Sequence, residues 1–310
     1  MTTSKHITVV GGTAVGLLLR VSSFPQAGQT VLASTMTYID GGKAAGQAMA
    51  VARLHAQVEL VSAIGDDPLG DRLHAWLVRE RVGLAGLARL GGESSMLGVV
   101  EVNAEGENRI VVALNAMAVF SPDRLAQYGS VIAQSSLCLV SLELPIDTAI
   151  EALRIARAAG VTTVLNPAPA PPSDRAAELI ELSDVITPNE TEAAELVGSS
   201  GSPEELAARL LGLGAGSVAL TLGAEGVLFA DASGATHVPA VFVPAASIVD
   251  TAGAGDGFNA AFCVALARGH SPIQACVFGV EGGARIIQGV GIVAALDQWS
   301  DFVIDEADAT

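Results

Sequence analysis

From about residue 137 onward, short apolar segments alternate with amphipathic ones, and this alternation limits the possible folds more than any other feature. The predicted strands cover 137–142, 161–165, 185–187, 217–222 and 226–230, and the predicted helices cover 147–159, 174–182, 191–197 and 203–213. Helices of this kind pack onto both faces of a sheet whose strands run parallel. The sequence therefore predicts an α/β fold with a doubly wound, mostly parallel sheet.

The first third of the chain contains strands that do not fit this alternation. Residues 17–40 combine short extended pieces with turns, and apolar segments at 97–102 and 109–113 flank a polar turn, as in a hairpin. A small β-sheet lid, built from about 12–40 and 95–115, accounts for both. We find no internal repeat and no linker, so the sequence predicts one domain over 1–310.

Composition excludes several classes of protein. The net charge of −17 argues against a nucleic-acid partner, although a local site can still bind an anion. No apolar run reaches the ~20 residues of a membrane helix, and the first residues lack the apolar core of a signal peptide. Three separated cysteines in apolar surroundings, Cys138, Cys263 and Cys276, indicate free thiols and a cytoplasmic location.

A stretch of small residues, 249–262, surrounds the carboxylate of Asp256 and continues with helical spacing. Free N–H groups at a helix start, together with the helix dipole, favour an anion there. The stretch by itself supports two interpretations. Asp256 either caps the helix behind a glycine-rich turn, or it is a base that removes a proton while the N–H groups hold the charge that develops.

Other glycines and polar clusters fall at the ends of predicted strands and helices. Gly41, Gly42 and Lys43 precede an alanine-rich helix, and Glu143, 189–192 and 221–226 each follow a strand. Ligands of such sheets bind beyond the carboxyl ends of the strands, so these groups are expected to face one cleft. The glycines of 11–16 lack the G-x-G-x-x-G spacing, which disfavours dinucleotide binding.

Seven motifs in order resemble those of the ribokinase-like (PfkB) carbohydrate and nucleoside kinases, over about residues 7–292, and most closely those of the ribokinase subfamily. They lie at 41–47, 65–70, 103–108, 166–170, 187–192, 221–226 and 250–256. The resemblance implies a kinase that transfers the γ-phosphoryl group of ATP to a primary hydroxyl of a sugar or sugar derivative. A nucleoside kinase and a fructokinase-type ketohexose kinase are alternatives, and a catalytically weak binding protein is a third possibility from another class.

The resemblance also implies a role for each matching residue. Asp256 matches the catalytic base, and the anion hole comprises Gly253, Ala254 and Gly255. Matches to acceptor contacts are Gly41, Gly42, Lys43 and Glu143; matches to the nucleotide site are Asn189, Thr221, Gly223 and Gly226. Asn189 and Glu192 match the motif that positions Mg²⁺ through water, and the backbone of Asp250 matches a monovalent-cation (K⁺) site. The implied partners are a sugar or nucleoside, ATP and a second copy of the chain.

The acceptor side departs from the ribokinase pattern. Where that subfamily has three polar residues that bind sugar hydroxyls, this chain has Ala14, Gly16 and Gly46, and Val280 replaces an Asn or His near the adenine side. A site that lacks these groups discriminates less between hydroxyl patterns. We expect weaker ribose binding, or a bulkier substrate admitted by the room at Gly16 and Gly46.

Overall fold

The computed structural model describes residues 6–289, 291–297 and 299–307. The strands, in chain order, are β1 (Ile7–Val10), β2 (Ala14–Arg20), β3 (Thr35–Gly41), β4 (Val58–Gly65), β5 (Gly83–Leu90), β6 (Met96–Val102), β7 (Asn108–Ala113), β8 (Leu137–Ser141), β9 (Thr162–Asn166), β10 (Val185–Ile186), β11 (Val218–Thr221), β12 (Val227–Asp231) and β13 (Gly234–Val238). The helices are α1 (Lys43–Arg53), α2 (Pro68–Arg79), α3 (Pro122–Ala126), α4 (Gly129–Ala133), α5 (Ile146–Ala158), α6 (Ser173–Glu181), α7 (Glu190–Val197), α8 (Pro203–Gly212), α9 (Ala254–Ala267), α10 (Pro272–Ile286) and α11 (Gly291–Leu296).

A nine-stranded sheet forms the centre of the molecule, in the order β13-β12-β11-β10-β9-β8-β1-β4-β5. Neighbouring strands from β11 to β5 pair in parallel, whereas β12 pairs antiparallel with both β11 and β13. The predicted doubly wound, mostly parallel α/β fold is confirmed. The sequence analysis missed β5 and β13, edge strands that contain glycine and alanine in place of a β-branched run.

Helices cover both faces of this sheet, and alternate strand residues pack against different layers. Val9 belongs to the apolar cluster under α1, α2, α9 and α10, whereas Val10 belongs to the cluster under α3 to α8. Such two-sided burial explains why the central strands are continuous apolar runs. Within the described ranges, no helix combines the length and apolarity that crossing a bilayer requires.

The smaller sheet predicted from the sequence is present, with four strands in the order β3-β2-β6-β7. β2 and β6 pair in parallel, and the two outer pairs are antiparallel. The side chain of Arg72 on α2 contacts β3 through an ion pair with Asp40 and by stacking over Tyr38. β3 ends at Gly41, so this sheet lies at the entrance to α1.

One predicted helix start differs from the structure. The turn at 65–70 predicts a helix over 71–82, whereas α2 starts at Pro68, because the Asp67 carboxylate accepts a hydrogen bond from the Gly70 N–H at 2.7 Å and caps the helix. The sequence also predicts a frayed acidic tail at 305–310, of which the described residues include 305–307, and these are neither helix nor strand.

Candidate active site

The stretch around Asp256 forms the first turn of α9, and a left-handed glycine starts it. Gly253 has φ 82°, a conformation that costs glycine little, and it lets the chain turn sharply into the helix. The Gly257 N–H donates to the Gly253 carbonyl at 2.9 Å. The preceding N–H groups of Gly255 and Asp256 lie in the first helical turn, where a helix provides no acceptor for them.

A pocket of about 150 Å³ opens beside this helix start. It collects groups from the carboxyl ends of β9, β10 and β11 and from the starts of α1, α7 and α9: Lys43, Asn166, Ala168, Thr187, Asn189, Glu192, Thr221, Gly253, Gly255, Asp256 and Asn259. Residues that the sequence predicted for the acceptor side, the metal, the nucleotide and the base therefore meet in one cavity. The other predicted site residues do not line it: Gly16, Gly41, Gly42, Gly46, Glu143, Gly223, Gly226, Asp250 and Ala254.

One lysine and three carboxylates set the charge in and beside the pocket, which Lys43, Asp256 and Glu192 line and Glu143 does not. Burial raises the pKa of Asp256, while Lys43 and a hydrogen bond from Gln47 oppose this increase. Burial likewise raises the pKa of Glu143 and of Glu192, and Lys43 opposes both. Burial alone lowers the pKa of Lys43, but the three carboxylates outweigh it and the net shift is upward. Lys43 thus stays cationic between carboxylates that burial makes more basic.

Lys43 is the first residue of α1, and the loop between β1 and β2 packs against this helix start. Gly42 caps the helix at φ 91°, and a Cβ there would lie 2.6 Å from the Gly12 carbonyl oxygen. The Lys43 N–H donates to Glu143 Oε2 at 2.7 Å, and a Cβ on Gly12 would lie 2.5 Å from that oxygen. The glycines of the first loop are therefore explained by close packing against α1 and Glu143.

Asn189 and Glu192 form a capping box at the start of α7. The Glu192 N–H donates to Asn189 Oδ1 at 2.8 Å, and the Asn189 N–H donates to Glu192 Oε2 at 2.9 Å. The box uses one oxygen of Glu192 and leaves Oε1 for the pocket. Within the described ranges, no cluster of three or more His, Cys, Asp or Glu side chains could hold a metal by itself.

The loop after β11 lies beside this cap. Thr221 pairs with Asn189 in an isolated parallel bridge, and its N–H donates to the Pro188 carbonyl at 2.9 Å. Gly223 has φ 56° with open space around its Cα, whereas a Cβ on Gly226 would lie 2.2 Å from the Val238 carbonyl oxygen. Gly226 is thus required by packing, while Gly223 keeps the rim of the loop small.

Asp250 lies just before the glycine-rich turn that starts α9. Its Oδ1 accepts from the Ala252 N–H at 2.9 Å, and its own N–H donates to the Ile287 carbonyl at 3.3 Å. The Val249 N–H donates to the same carbonyl at 2.8 Å. The loop before α9 is therefore fastened to the end of α10. Val280, on that helix, is partly buried against the core.

The three positions at which the sequence departs from the ribokinase pattern, Ala14, Gly16 and Gly46, differ in the space around them. Ala14 is buried at the start of β2. A Cβ on Gly16 would lie 3.5 Å from the Ile39 carbonyl oxygen, an ordinary contact, so room exists there. A Cβ on Gly46 would lie 3.1 Å from Ile292 Cδ1, so the room predicted at Gly46 is wrong. An isoleucine from α11 fills that space, and no local pattern indicated it.

The sequence predicted no role for four buried polar residues. Asn166, Thr187 and Asn259 line the pocket, and Gln47 lies behind it. Gln47 Nε2 donates to Asp256 Oδ1 and to Asn166 Oδ1. The Thr187 hydroxyl donates to Asn259 Oδ1 at 2.6 Å, and Asn259 Nδ2 donates to the Gly255 carbonyl at 2.8 Å. Helical spacing could have indicated two of these residues. Gln47 follows Lys43 by one turn of α1, and Asn259 follows Gly255 by one turn of α9, so each lies on the same helix face as a predicted site residue.

Known proteins share both the sequence and the fold. The model of the pfkB family of carbohydrate kinases matches residues 4–299. A ribokinase from Haemophilus influenzae is 35% identical, covering 90% of this chain and 91% of its own. A deoxyribokinase from Salmonella typhi is 30% identical, covering 83% and 84%. The structure of Arabidopsis thaliana ribokinase complexed with ribose and ATP superposes with a TM-score of 0.85 at 26% identity, covering 93% and 94%.

The fold, the pocket at the carboxyl ends of the strands and these similarities define a carbohydrate kinase that uses ATP. More particularly, the chain belongs to the pfkB family of carbohydrate kinases, whose model covers nearly all of it. The activity expected from the sequence, ATP-dependent phosphorylation of a sugar, is confirmed.

Proposed function

We propose that this sugar kinase transfers the γ-phosphoryl group of ATP to a primary hydroxyl of its acceptor, with Asp256 as the general base. One observation carries the proposal: Asp256 is partly buried in the first turn of α9, beside Lys43 and the free N–H groups of that turn. A carboxylate is ordinary in the first turn of a helix, but beside a site for a phosphoryl group its charge repels the anion that the free N–H groups would otherwise bind. A base next to the place where phosphoryl charge develops gives it a chemical reason.

In the proposed reaction, Asp256 accepts the hydroxyl proton while the acceptor oxygen bonds to phosphorus. The bond from phosphorus to the departing ADP breaks in the same displacement. Phosphoryl transfer requires in-line positioning and stabilisation of charge on the equatorial oxygens. The N–H groups of Gly255 and Asp256 could stabilise that charge, and Lys43 supplies the nearby positive charge in a strongly acidic protein.

The pocket fits a magnesium ion that arrives with the nucleotide. Mg²⁺ keeps several waters and binds substrate phosphates together with one or two carboxylates. Glu192 offers one such oxygen, Oε1, because the capping box uses the other. Bound there, Mg²⁺ would neutralise part of the triphosphate charge. The proposed nucleotide side also includes Asn189 and the loop of Thr221, Gly223 and Gly226.

For the acceptor, we propose a pentose-like sugar that needs fewer hydroxyl contacts than ribose. Similarity to a ribokinase and a deoxyribokinase supports the size of the acceptor. The apolar Ile292 beside Gly46 supports its chemistry, because an aliphatic wall leaves a facing hydroxyl unpaired. Gly41, Gly42, Lys43, Glu143 and the open Gly16 would surround the remaining hydroxyls.

Two further features belong to the proposal. Activation by K⁺ is supported by the hydrogen bonds from the N–H groups of 249–250 to the Ile287 carbonyl. These bonds bring two segments together, and backbone carbonyls of both could bind the ion. Homodimer formation through the four-stranded sheet is supported by its apolar side chains, among them Tyr38, Ile110 and Val111, which are 45%, 58% and 72% exposed. Patches of this kind mark association surfaces.

The decisive experiment measures ADP release with Mg²⁺ and ATP over a panel of ribose, 2-deoxyribose, fructose and nucleosides, in K⁺ or in Na⁺. We expect a pentose to give the highest kcat/KM, with 2-deoxyribose favoured relative to a ribose-specific control enzyme. Turnover with no member of the panel would overturn the proposed acceptor class. A nucleoside or fructose as the best acceptor would assign the site to a different substrate.

A further inference from the structure

Gln47 lies one turn after Lys43 on α1, and its side chain is fully buried beside Asp256. Its Nε2 group donates two hydrogen bonds, to Asp256 Oδ1 at 2.9 Å and to Asn166 Oδ1 at 3.0 Å. Asn166 Nδ2 in turn donates to the Thr187 carbonyl at 3.3 Å. Two amides thus connect the carboxylate of Asp256 to the backbone that follows β10.

The backbone end of this connection determines the orientation of both amides. A carbonyl oxygen can only accept, so Asn166 directs Nδ2 towards Thr187 and Oδ1 towards Gln47. Gln47 must then direct Nε2 towards Asn166, and the second hydrogen of the same group points to Asp256. Asp256 therefore meets a hydrogen-bond donor on its Oδ1 side.

The amide oxygen of Gln47, Oε1, indicates that this residue is not there simply to fill the core. Gln47 Oε1 is buried and has no hydrogen-bond partner in the part of the chain that the structure describes. A buried acceptor without a partner lowers stability, whereas an apolar side chain of similar length would fill the space without that cost. An amide at this position is explained by what Nε2 does.

We propose that Gln47 is a positioning residue for Asp256: its Nε2 holds Oδ1, and so leaves Oδ2 as the oxygen that takes the proton from the acceptor hydroxyl. The inference rests on the proposed function, in which Asp256 is the base. A protonated Oδ1 would place a hydrogen against the Gln47 N–H group, so protonation is directed to Oδ2. The proton then has one destination, on the side of the carboxylate that Gln47 does not occupy.

The same hydrogen bond stabilises the ionised carboxylate. Burial raises the pKa of Asp256, and Lys43 and the Gln47 amide both oppose the increase. The other charged groups near Asp256 are Glu143, after β8, and Glu192, on α7. A change at Gln47 leaves Lys43, Glu143 and Glu192 in place, so a shift in the pH profile reports the lost amide.

The test is Gln47→Met in the full-length enzyme, with the best acceptor of the panel. The thioether keeps the length of the side chain and removes both the donor and the unpaired carbonyl. We expect kcat to fall about tenfold, and the acid limb of the kcat profile to move up by about one pH unit. The direction follows from the sign: without the donor the pKa of Asp256 rises, so a higher pH is needed to ionise the base. The Tm should be unchanged or higher.

Thr148→Val is the matched control. Thr148 is also fully buried, and its hydroxyl donates to the Phe120 carbonyl at 2.7 Å, away from the pocket. Its loss should lower the Tm and leave the pH profile unmoved. If Gln47→Met does not fold, Gln47→Leu, which also lacks the donor and introduces no larger volume, carries the same expectation.

A wild-type kcat and pH profile in the folded Gln47 variant would overturn the positioning role. A loss of Tm with an unmoved profile would also overturn it, because it would assign Gln47 to the core. Failure of the proposed function looks different: the wild-type enzyme would turn over no acceptor, or Asp256→Asn would keep full activity.

Discussion

At the scale of single residues, one lysine and three carboxylates lie in and beside the pocket, and their charges balance in part. Lys43 is attracted by Asp256, Glu143 and Glu192, and each of them loses hydration to the protein. Burial wins at all three carboxylates, so each is a stronger base than an exposed one. A raised pKa at Asp256 suits the base that we propose there. The same burial means that the ionised carboxylates lower the stability of the fold.

Asp256→Asn separates these two consequences. We expect kcat to fall by at least ~10²-fold because the base is removed. We also expect the Tm at neutral pH to rise or hold, because the folded pKa of Asp256 is raised. Its destabilising effect therefore grows as the pH rises from the ordinary carboxyl pKa and is complete above the raised pKa. At pH values below the ordinary carboxyl pKa, the stability difference should disappear. Calorimetry across pH and steady-state kinetics measure both; wild-type-like turnover would remove Asp256 as the base.

Ile292 decides how the acceptor side can be altered. Gly16→Asp with Gly46→Asn alone should not improve ribose phosphorylation, because a side chain at residue 46 meets Ile292 Cδ1 at 3.1 Å. Adding Ile292→Ala makes room for the Asn, and we expect kcat/KM for ribose to rise about tenfold or more from the new hydrogen bonds. Ile292→Ala alone is the control. Equal gains in kcat/KM from the double and the triple variant would show that Ile292 does not block a side chain at residue 46.

At the scale of elements, the starts of α1, α7 and α9 form the pocket, and each start has its own local explanation. Gly42 and Gly253 begin α1 and α9 with positive φ, and α7 begins with the Asn189–Glu192 box. Helix N-termini that point at one place concentrate free N–H groups there. The first turns of α7 and α9 therefore favour an anion in the pocket before any one side chain is considered.

Glu192→Gln separates the cap of α7 from the metal contact that we propose for it. A glutamine keeps the capping box, because its amide oxygen still accepts from the Asn189 N–H, but it removes the charge that we assign to Mg²⁺. We expect little change in the Tm and about a tenfold increase in the Mg²⁺ concentration needed for half-maximal activity. Glu205→Gln is the control, since Glu205 forms the same box with Ser202 at α8. An unchanged Mg²⁺ requirement would exclude Glu192 from the metal site.

At the scale of the whole molecule, the large sheet is covered on both faces, while the small sheet is not. Every residue of β7 is exposed, although Ile110, Val111 and Val112 are apolar. An uncovered edge strand of this composition favours pairing with another chain. The proposed homodimer would remove this exposure and hold the sheet beside the acceptor side of the pocket.

Val111→Lys tests the association at that scale. A lysine on an edge strand opposes strand pairing, and burying its charge in an interface is unfavourable. We expect the wild-type chain to have twice its monomer mass by light scattering, and the variant to dissociate at micromolar concentration. Val78→Lys, at a comparably exposed valine on α2, should leave the mass unchanged. A monomeric wild-type chain would contradict the dimer.

The sequence by itself determined the features that reside in a few neighbouring residues. Alternating apolar segments gave the parallel sheet, and glycines at 41–42 and 253–255 marked the helix starts that form the pocket. These properties depend on backbone conformation and on periods of two or 3.6 residues, which a short stretch expresses locally. For the same reason the positions of Lys43, Asp256, Asn189 and Glu192 could be assigned to one cleft.

Only the tertiary structure decided which side chains touch. Gln47 and Asp256 are 209 residues apart in the chain, yet Nε2 and Oδ1 are 2.9 Å apart in the fold. Ile292 reaches Gly46 from α11 and closes the space that the residue types alone left open. Contacts of this kind arise from the packing of one helix against another, and no local periodicity records them. The kinase activity was thus readable from the sequence, whereas the contact of Gln47 with Asp256 and the contact of Ile292 with Gly46 required the packed molecule.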